Sequence, residues 1–229
     1  MHTLSAEGVR HFPKPSLPKQ ESLPQKSSET QISSQSASDL GAQFKDLLAS
    51  LSDCSACALS QGRNRVIAAH QFLPQKIMVV SDFPEPADEL ASAEEPLFTT
   101  QKSPHQVLQR LFNYLGISQS IHRSFAIKCI APRGIPNTTP QTCARYLLAE
   151  INCVDPEVII CAGLRSARSV LSKTTWNIAE TPELGEIGPL LIQGRFRKVL
   201  VVPASTELEA NEKWRGPVGA FLKQALAQV

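Results

Sequence analysis

Glu157-Val-Ile-Ile-Cys161, then Ala162-Gly163, then Leu164-Arg-Ser-Ala-Arg-Ser-Val-Leu171 is the stretch on which the reading of the whole chain turns. Its first part is a short unbroken β-branched run, and its second carries apolar residues at helical spacing. A strand without polar alternation needs cover on both faces, which points to a parallel sheet between helices. The same sequence of signals recurs along the chain. Ile77-Met-Val-Val80 reads as a strand, and a helix follows with Ser103 as cap and Pro104 in its first turn, its Val107, Leu108, Leu111 and Leu115 on one stripe. Phe125-Ala-Ile-Lys-Cys129 reads as the next strand, and a helix capped by Thr139 with Pro140 at its start follows it. Lys198-Val-Leu-Val-Val202 is the last strand, and a terminal helix is expected from about Asn211. Strands alternating with helices predict an α/β domain with three αβα layers and a central four-stranded, mainly parallel sheet. In open sheets of this kind ligands collect at the carboxyl ends of the strands, here the segments after Val80, Cys129, Cys161 and Val202.

The domain is expected over residues 39–229. Asp39 is a plausible cap for a helix whose Phe44, Leu47, Leu48 and Leu51 share one face. Residues 14–38 are Pro, Ser, Gln and Lys without an aromatic side chain, too poor in apolar surface to offset the entropy of ordering, and read as a disordered linker. Residues 1–13 differ, because Leu4, Val9 and Phe12 are apolar groups that nothing local would cover. They read either as a disordered end with scattered apolar residues or as a short anchor that folds on a partner.

The 229-residue chain has a net charge of +2 and a pI near 8.2, short of the basic footprint of a dedicated duplex-DNA binder. No apolar run approaches the roughly 20 residues that span a bilayer, and the N-terminus has no signal-peptide core, so a cytoplasmic protein is expected. In a reducing compartment six cysteines are not a disulfide framework. Cys54 and Cys57 form a C-x-x-C pair after the first helix, while Cys129 and Cys143 bracket a loop with two prolines and a glycine, a set that suits a metal centre. Spacing alone leaves zinc and iron–sulfur both open. Cys153, just after an amphipathic helix, and Cys161, at the end of a strand, read as buried thiols. His2 and His11 lie in the tail, and His70, His105 and His122 are expected in loop or helix-start positions as solvated or capping groups.

The order C-x-x-C, strand, strand ending Lys128-Cys129, Pro-rich loop, helix bearing Cys143 resembles the iron–sulfur uracil-DNA glycosylases over roughly residues 39–229. The resemblance implies that fold and a [4Fe-4S] cluster on Cys54, Cys57, Cys129 and Cys143, with zinc as the alternative. It also implies that the chemistry is degraded. Where that family has Gly-Glu-x-Pro-Gly after the first strand, this chain has Ser81-Asp-Phe-Pro-Glu85, which keeps a carboxylate in Asp82. Phe125 stands in place of the base-reading asparagine, and Val202-Pro-Ala204 in place of His-Pro-Ser or His-Pro-Ala. Losing the groups that meet a developing anion costs orders of magnitude in rate, so no catalytic residue is expected. The alternative is a divergent glycosylase of base-excision repair that uses Asp82 to orient water.

Two segments are more similar to the psi family of subunits in the bacterial DNA polymerase III clamp loader: 77–90, containing Ser81-Asp-Phe-Pro-Glu-Pro-Ala-Asp-Glu-Leu90, and Val202-Pro-Ala-Ser-Thr-Glu-Leu-Glu-Ala-Asn-Glu-Lys-Trp214. Leu4, Gly8, Val9 and Phe12 also resemble the psi tail. The resemblance implies a non-catalytic adaptor in DNA replication. Its tail would bind the gamma/tau collar and its domain the chi subunit, linking the loader indirectly to single-stranded-DNA-binding protein.

Overall fold

Apolar runs with no polar alternation become the inner strands of a five-stranded sheet. In the computed structural model, which describes residues 37–69, 72, 74–92, 95–130, 134–135, 139–227 and 229, the strands are β1 (Ile77–Ser81), β2 (Ile121–Phe125), β3 (Val158–Ala162), β4 (Gly185–Ile192) and β5 (Arg195–Val202). Their order is β2-β1-β3-β5-β4, with the first four parallel and β4 antiparallel to β5. The α/β class and the mainly parallel sheet stand as expected, but the sheet has five strands rather than four. The extra strand contains Gly185, Gly188 and Pro189, which mask a strand pattern. At a sheet edge they are tolerated, and the pairing shifts register between Ile187 and Leu190, where Gly188 and Pro189 lie.

Side chains alternate across each inner strand and so build two cores. Ile77, Val79, Ile160 and Leu200 face α2 (Gln106–Tyr114), α5 (Ser205–Ala210) and α6 (Arg215–Leu226). Met78, Val80, Ile159 and Val199 face α3 (Thr139–Val154) and α4 (Leu164–Leu171). The first helix, α1 (Ala37–Ser52), packs on α3. These elements belong to one compact unit, Gln35–Val229. Among the described residues no helix is long and apolar enough to cross a membrane.

Several boundaries differ from expectation. Helix α1 begins at Ala37, so Asp39 sits inside its first turn and the last two residues of the expected linker are helical. Helix α2 begins at Gln106, three residues after Ser103, and the terminal helix begins at Arg215 after a short 3-10 turn over Glu212–Trp214. Strand β2 lies four residues before the expected Phe125–Cys129. The misplacement comes from polarity: His122 and Ser124 are buried on β2, where a sequence pattern expects apolar groups. Past Phe125 the chain keeps pairing, Ala126 and Ile127 donating to the carbonyls of Ser81 and Asp82, but leaves the ladder to deliver Cys129. The tail residues Leu4, Gly8, Val9 and Phe12, most of linker 14–38, and His2, His11 and His70 lie outside the described residues.

Candidate metal centre and strand-end site

The fold brings Cys54, Cys57, Cys129 and Cys143, from three distant segments, within electrostatic reach of one another. Backbone bonds from Asp53 and Cys54 to Ala49 and Leu51 close α1 and set Cys54 at its tip. Cys57 precedes a 3-10 turn, Ala58–Ser60, and its carbonyl accepts from both the amide and the hydroxyl of Ser60. Cys129 follows β2 and Cys143 lies near the start of α3; both are buried. All six cysteines are free thiols. Burial raises the pKa of Cys129 and pushes that of Cys143 up to about 11, and the neighbouring thiols add to both shifts. Cys57 and Cys54 act on Cys129, while Cys129 and Cys57 act on Cys143.

The surroundings of that region are cationic and rich in donors. Arg63 Nη1 donates to Cys129 Sγ at 3.5 Å, and its Nη2 donates to the Ser52 carbonyl at 2.9 Å, tying α1 to the segment after β2. The Lys128 amide donates to Cys143. Burial opposes ionisation of Cys54, yet the Tyr146 hydroxyl, the Ala56 amide and Arg63 hold its pKa below that of an ordinary thiol. Among the described residues no group of three or more His, Cys, Asp or Glu side chains is arranged to hold a metal ion. In chemical type the four thiols fit an all-thiolate group, and the donors around them suit the negative charge such a group carries. Cys153, in the last turn of α3 rather than after it, and Cys161 on β3 are buried away from this set, where burial raises both thiol pKa values.

Beneath the centre lies a buried polar network that the sequence hid. Glu150 of α3 accepts from His122 Nε2 at 2.8 Å and from the Ser124 hydroxyl at 2.7 Å, and it pairs with Lys128. His122 is therefore a buried strand residue, not a solvated one, and its ring meets the edge of Phe44 from α1. Burial alone would raise the Glu150 pKa, but the Lys128 charge and the His122 hydrogen bond hold it well below the usual carboxylate range.

The order of strands reverses between β1 and β3, and a cleft of about 610 Å³ opens there, lined by Asp82, Ile135, Pro140, Leu164, Arg165 and Arg168. Asp82 is committed to the fold. Its Oδ1 accepts the Ser166 amide at 2.7 Å, capping α4 from the turn that follows β1. Gly163 has φ +113°, and a Cβ there would collide with the Asp82 carboxylate, so the glycine makes the cap possible. Burial raises the Asp82 pKa, opposed by the Ser166 amide and the nearby Arg165, whose guanidinium lies 5.2 Å from the Phe83 ring centroid.

Across the sheet, the carboxyl ends of β1 and β5 are filled by side chains. His105 Nδ1 accepts from the hydroxyls of Ser205 at 2.7 Å and Ser81 at 3.1 Å; its Nε2 donates to the Phe83 carbonyl at 3.0 Å. A carbonyl only accepts, so Nε2 carries a proton, and burial, which disfavours the charged ring, leaves Nδ1 as the acceptor. Burial lowers the His105 pKa, with the Asp88 carboxylate, 3.6 Å away, acting in the opposite sense. The Phe125 and Phe98 ring centroids lie 4.9 Å and 5.5 Å from that of His105, and 5.3 Å from each other. Ser, His and Asp are thus neighbours, but each is at most 4% exposed, which leaves a reacting group no approach. His105 was expected as a solvated or capping group. It makes no capping bond and is instead the hub of this cluster, which Ser205, 100 residues away in the chain, completes. No protein-family model matches the chain.

Proposed function

We propose that this chain is a non-catalytic, psi-like adaptor subunit of the DNA polymerase III holoenzyme, built on a uracil-DNA glycosylase-like version of the α/β fold. The observation that carries this reading is the filled space at the ends of β1 and β5. Phe98, His105 and Phe125 pack against one another where a base and its attacking water would need room. Asp82, the carboxylate a divergent glycosylase would use, is already spent on capping α4. The four-stranded parallel set β2-β1-β3-β5, flanked at its edge by β4, supports this reading.

In this reading the tail residues Leu4, Gly8, Val9 and Phe12 bind the gamma/tau collar and the domain binds chi, bringing the loader to single-stranded-DNA-binding protein. A tethered anchor of this kind raises the local concentration of the domain without fixing its orientation. Purified protein mixed with collar subunits, and separately with chi, should co-elute with each on a sizing column, and deletion of residues 1–13 should abolish only the collar complex. Absence of both complexes would remove the proposal.

Cys54, Cys57, Cys129 and Cys143 would hold a [4Fe-4S] cluster, which supplies an all-thiolate cross-link between α1, the segment after β2, and α3. Arg63 and the Lys128 amide would offset its charge. Protein purified without oxygen should be brown, with broad absorbance near 400 nm and iron matched by acid-labile sulfide. A colourless preparation with stoichiometric zinc would assign the other metal.

A further inference from the structure

Helix α6 contains two glycines that the fold of this chain does not require. A Cβ at Gly216 would have nothing within 4 Å, and one at Gly219 would meet Leu111 at an ordinary 3.6 Å. Gly219, inside α6, costs the helix about 1 kcal/mol relative to alanine, and Gly216, in its first turn, leaves the same side bare. What they leave open is a groove of about 460 Å³ between α2 and α6, floored by Val107, Leu111, Leu208 and Ala220. Tyr114 stands at its mouth, 78% exposed, an aromatic ring with a polar tip of the kind that anchors interfaces.

The rim carries a definite charge. Arg110 pairs with Glu209 at 2.7 Å and Arg215 with Glu212 at 2.9 Å, so both guanidinium groups already have carboxylate partners. Lys223, exposed on the rim, has no acidic partner among the described residues. Small residues allow a second helix to approach closely, and the free cation selects what that helix carries. A second copy of this chain is a poor occupant. Antiparallel packing of α6 on itself about Gly219 would set Lys223 opposite Arg215, each four residues from the crossing point.

We infer that the α2–α6 groove docks an amphipathic helix of another protein, with its apolar stripe over Gly216, Gly219 and Ala220 and a carboxylate on its flank at Lys223. This rests on the groove's own shape and charge and is independent of the adaptor assignment.

The test uses the full chain and a fluorescein-labelled, stapled helix of about 14 residues, or four turns, with leucines on one face and glutamates on the flanks. Fluorescence anisotropy should show saturable binding that weakens with salt, and a matched helix with lysines on the flanks should not bind. Lys223→Glu should weaken the acidic helix about five-fold or more, as expected for loss and reversal of one interfacial charge pair. Gly219→Trp, which fills the groove, should abolish binding with the thermal midpoint of the domain unchanged. A second filling variant, Ala220→Phe, separates lost binding from lost folding if Gly219→Trp proves unstable. The inference is overturned if the acidic helix does not bind, if the lysine helix binds equally well, if filling the groove leaves binding intact, or if oligo(dT) competes for the site.

Discussion

Glu150→Gln should destabilise the domain by about 3–5 kcal/mol, the range found when one partner of a buried ion pair is removed. Glu150 and Lys128 are both essentially inaccessible, and Lys128 has no other anion beside it in this network. An amide still satisfies the Ser124 hydroxyl and one donor, but it leaves the ammonium buried without a counter-charge. Lys128→Met combined with Glu150→Gln should lie closer to the parent protein than Glu150→Gln alone, since the double variant no longer buries an ammonium without a counter-charge while the amide oxygen still accepts a hydrogen bond from the His122 and Ser124 pair. Urea unfolding of the three proteins measures this; equal losses for the single and the double variant would show that the pair is not coupled. Acid should reveal the same group. The folded pKa of Glu150 lies below its unfolded value of about 4.3, so the unfolded chain binds the proton more tightly there. Its contribution is complete above that pH and is lost as pH falls toward the depressed folded value. Glu150→Gln should flatten this part of the stability profile.

Glu150 also explains why part of the fold was illegible. The inner strands β1, β3 and β5 announce themselves because their own residues carry the pattern, with both faces apolar. Strand β2 does not, since His122 and Ser124 are acceptable in a core only through a carboxylate 28 and 26 residues further on. Tertiary compensation of this kind leaves no local trace, and the run from Phe125 carries the strand pattern instead. Strand β4 was missed for a different reason: an edge strand tolerates the glycine and proline that a central one cannot, so its composition imitates a loop. The site divides in the same way. Cys54 and Cys57 are visible as a spaced pair, and Cys129 and Cys143 as brackets of a Pro-rich loop. Arg63, which donates to Cys129 from 66 residues away, looks like any surface cation. His105 is preceded by Pro104 at an expected helix start, which suggested an exposed cap, and only the fold brings Ser81 and Ser205 to its ring. The one hint was negative: Phe125 and Val202 stand where the glycosylase resemblance expects asparagine and histidine.

What occupies it makes the second large effect. Phe125→Asn, which restores the side chain that the glycosylase resemblance would place there, should destabilise the domain by about 3–5 kcal/mol. Phe125 is fully buried, and truncating such a ring removes its packing against Phe98 and His105 and opens a cavity. The new amide adds the cost of a buried polar group, because the hydroxyls of Ser81 and Ser205 already serve His105 Nδ1 and the Phe83 carbonyl already takes its Nε2 proton. At roughly 2–4 °C per kcal/mol for a domain of this size, the thermal midpoint should fall by about 10 °C. Activity should not appear in exchange. Phe98 and His105 would still fill the strand ends, and His105, held neutral with its one proton on Phe83, has nothing to give a departing base. Combined Phe125→Asn and Val202→His should therefore release no uracil from a single-stranded uracil-containing oligonucleotide, as judged by alkali cleavage on a gel. Excision by that variant at a well-folded midpoint would mean that a base can enter beside β1 and β5. The adaptor reading would then have lost the packed interior on which it stands.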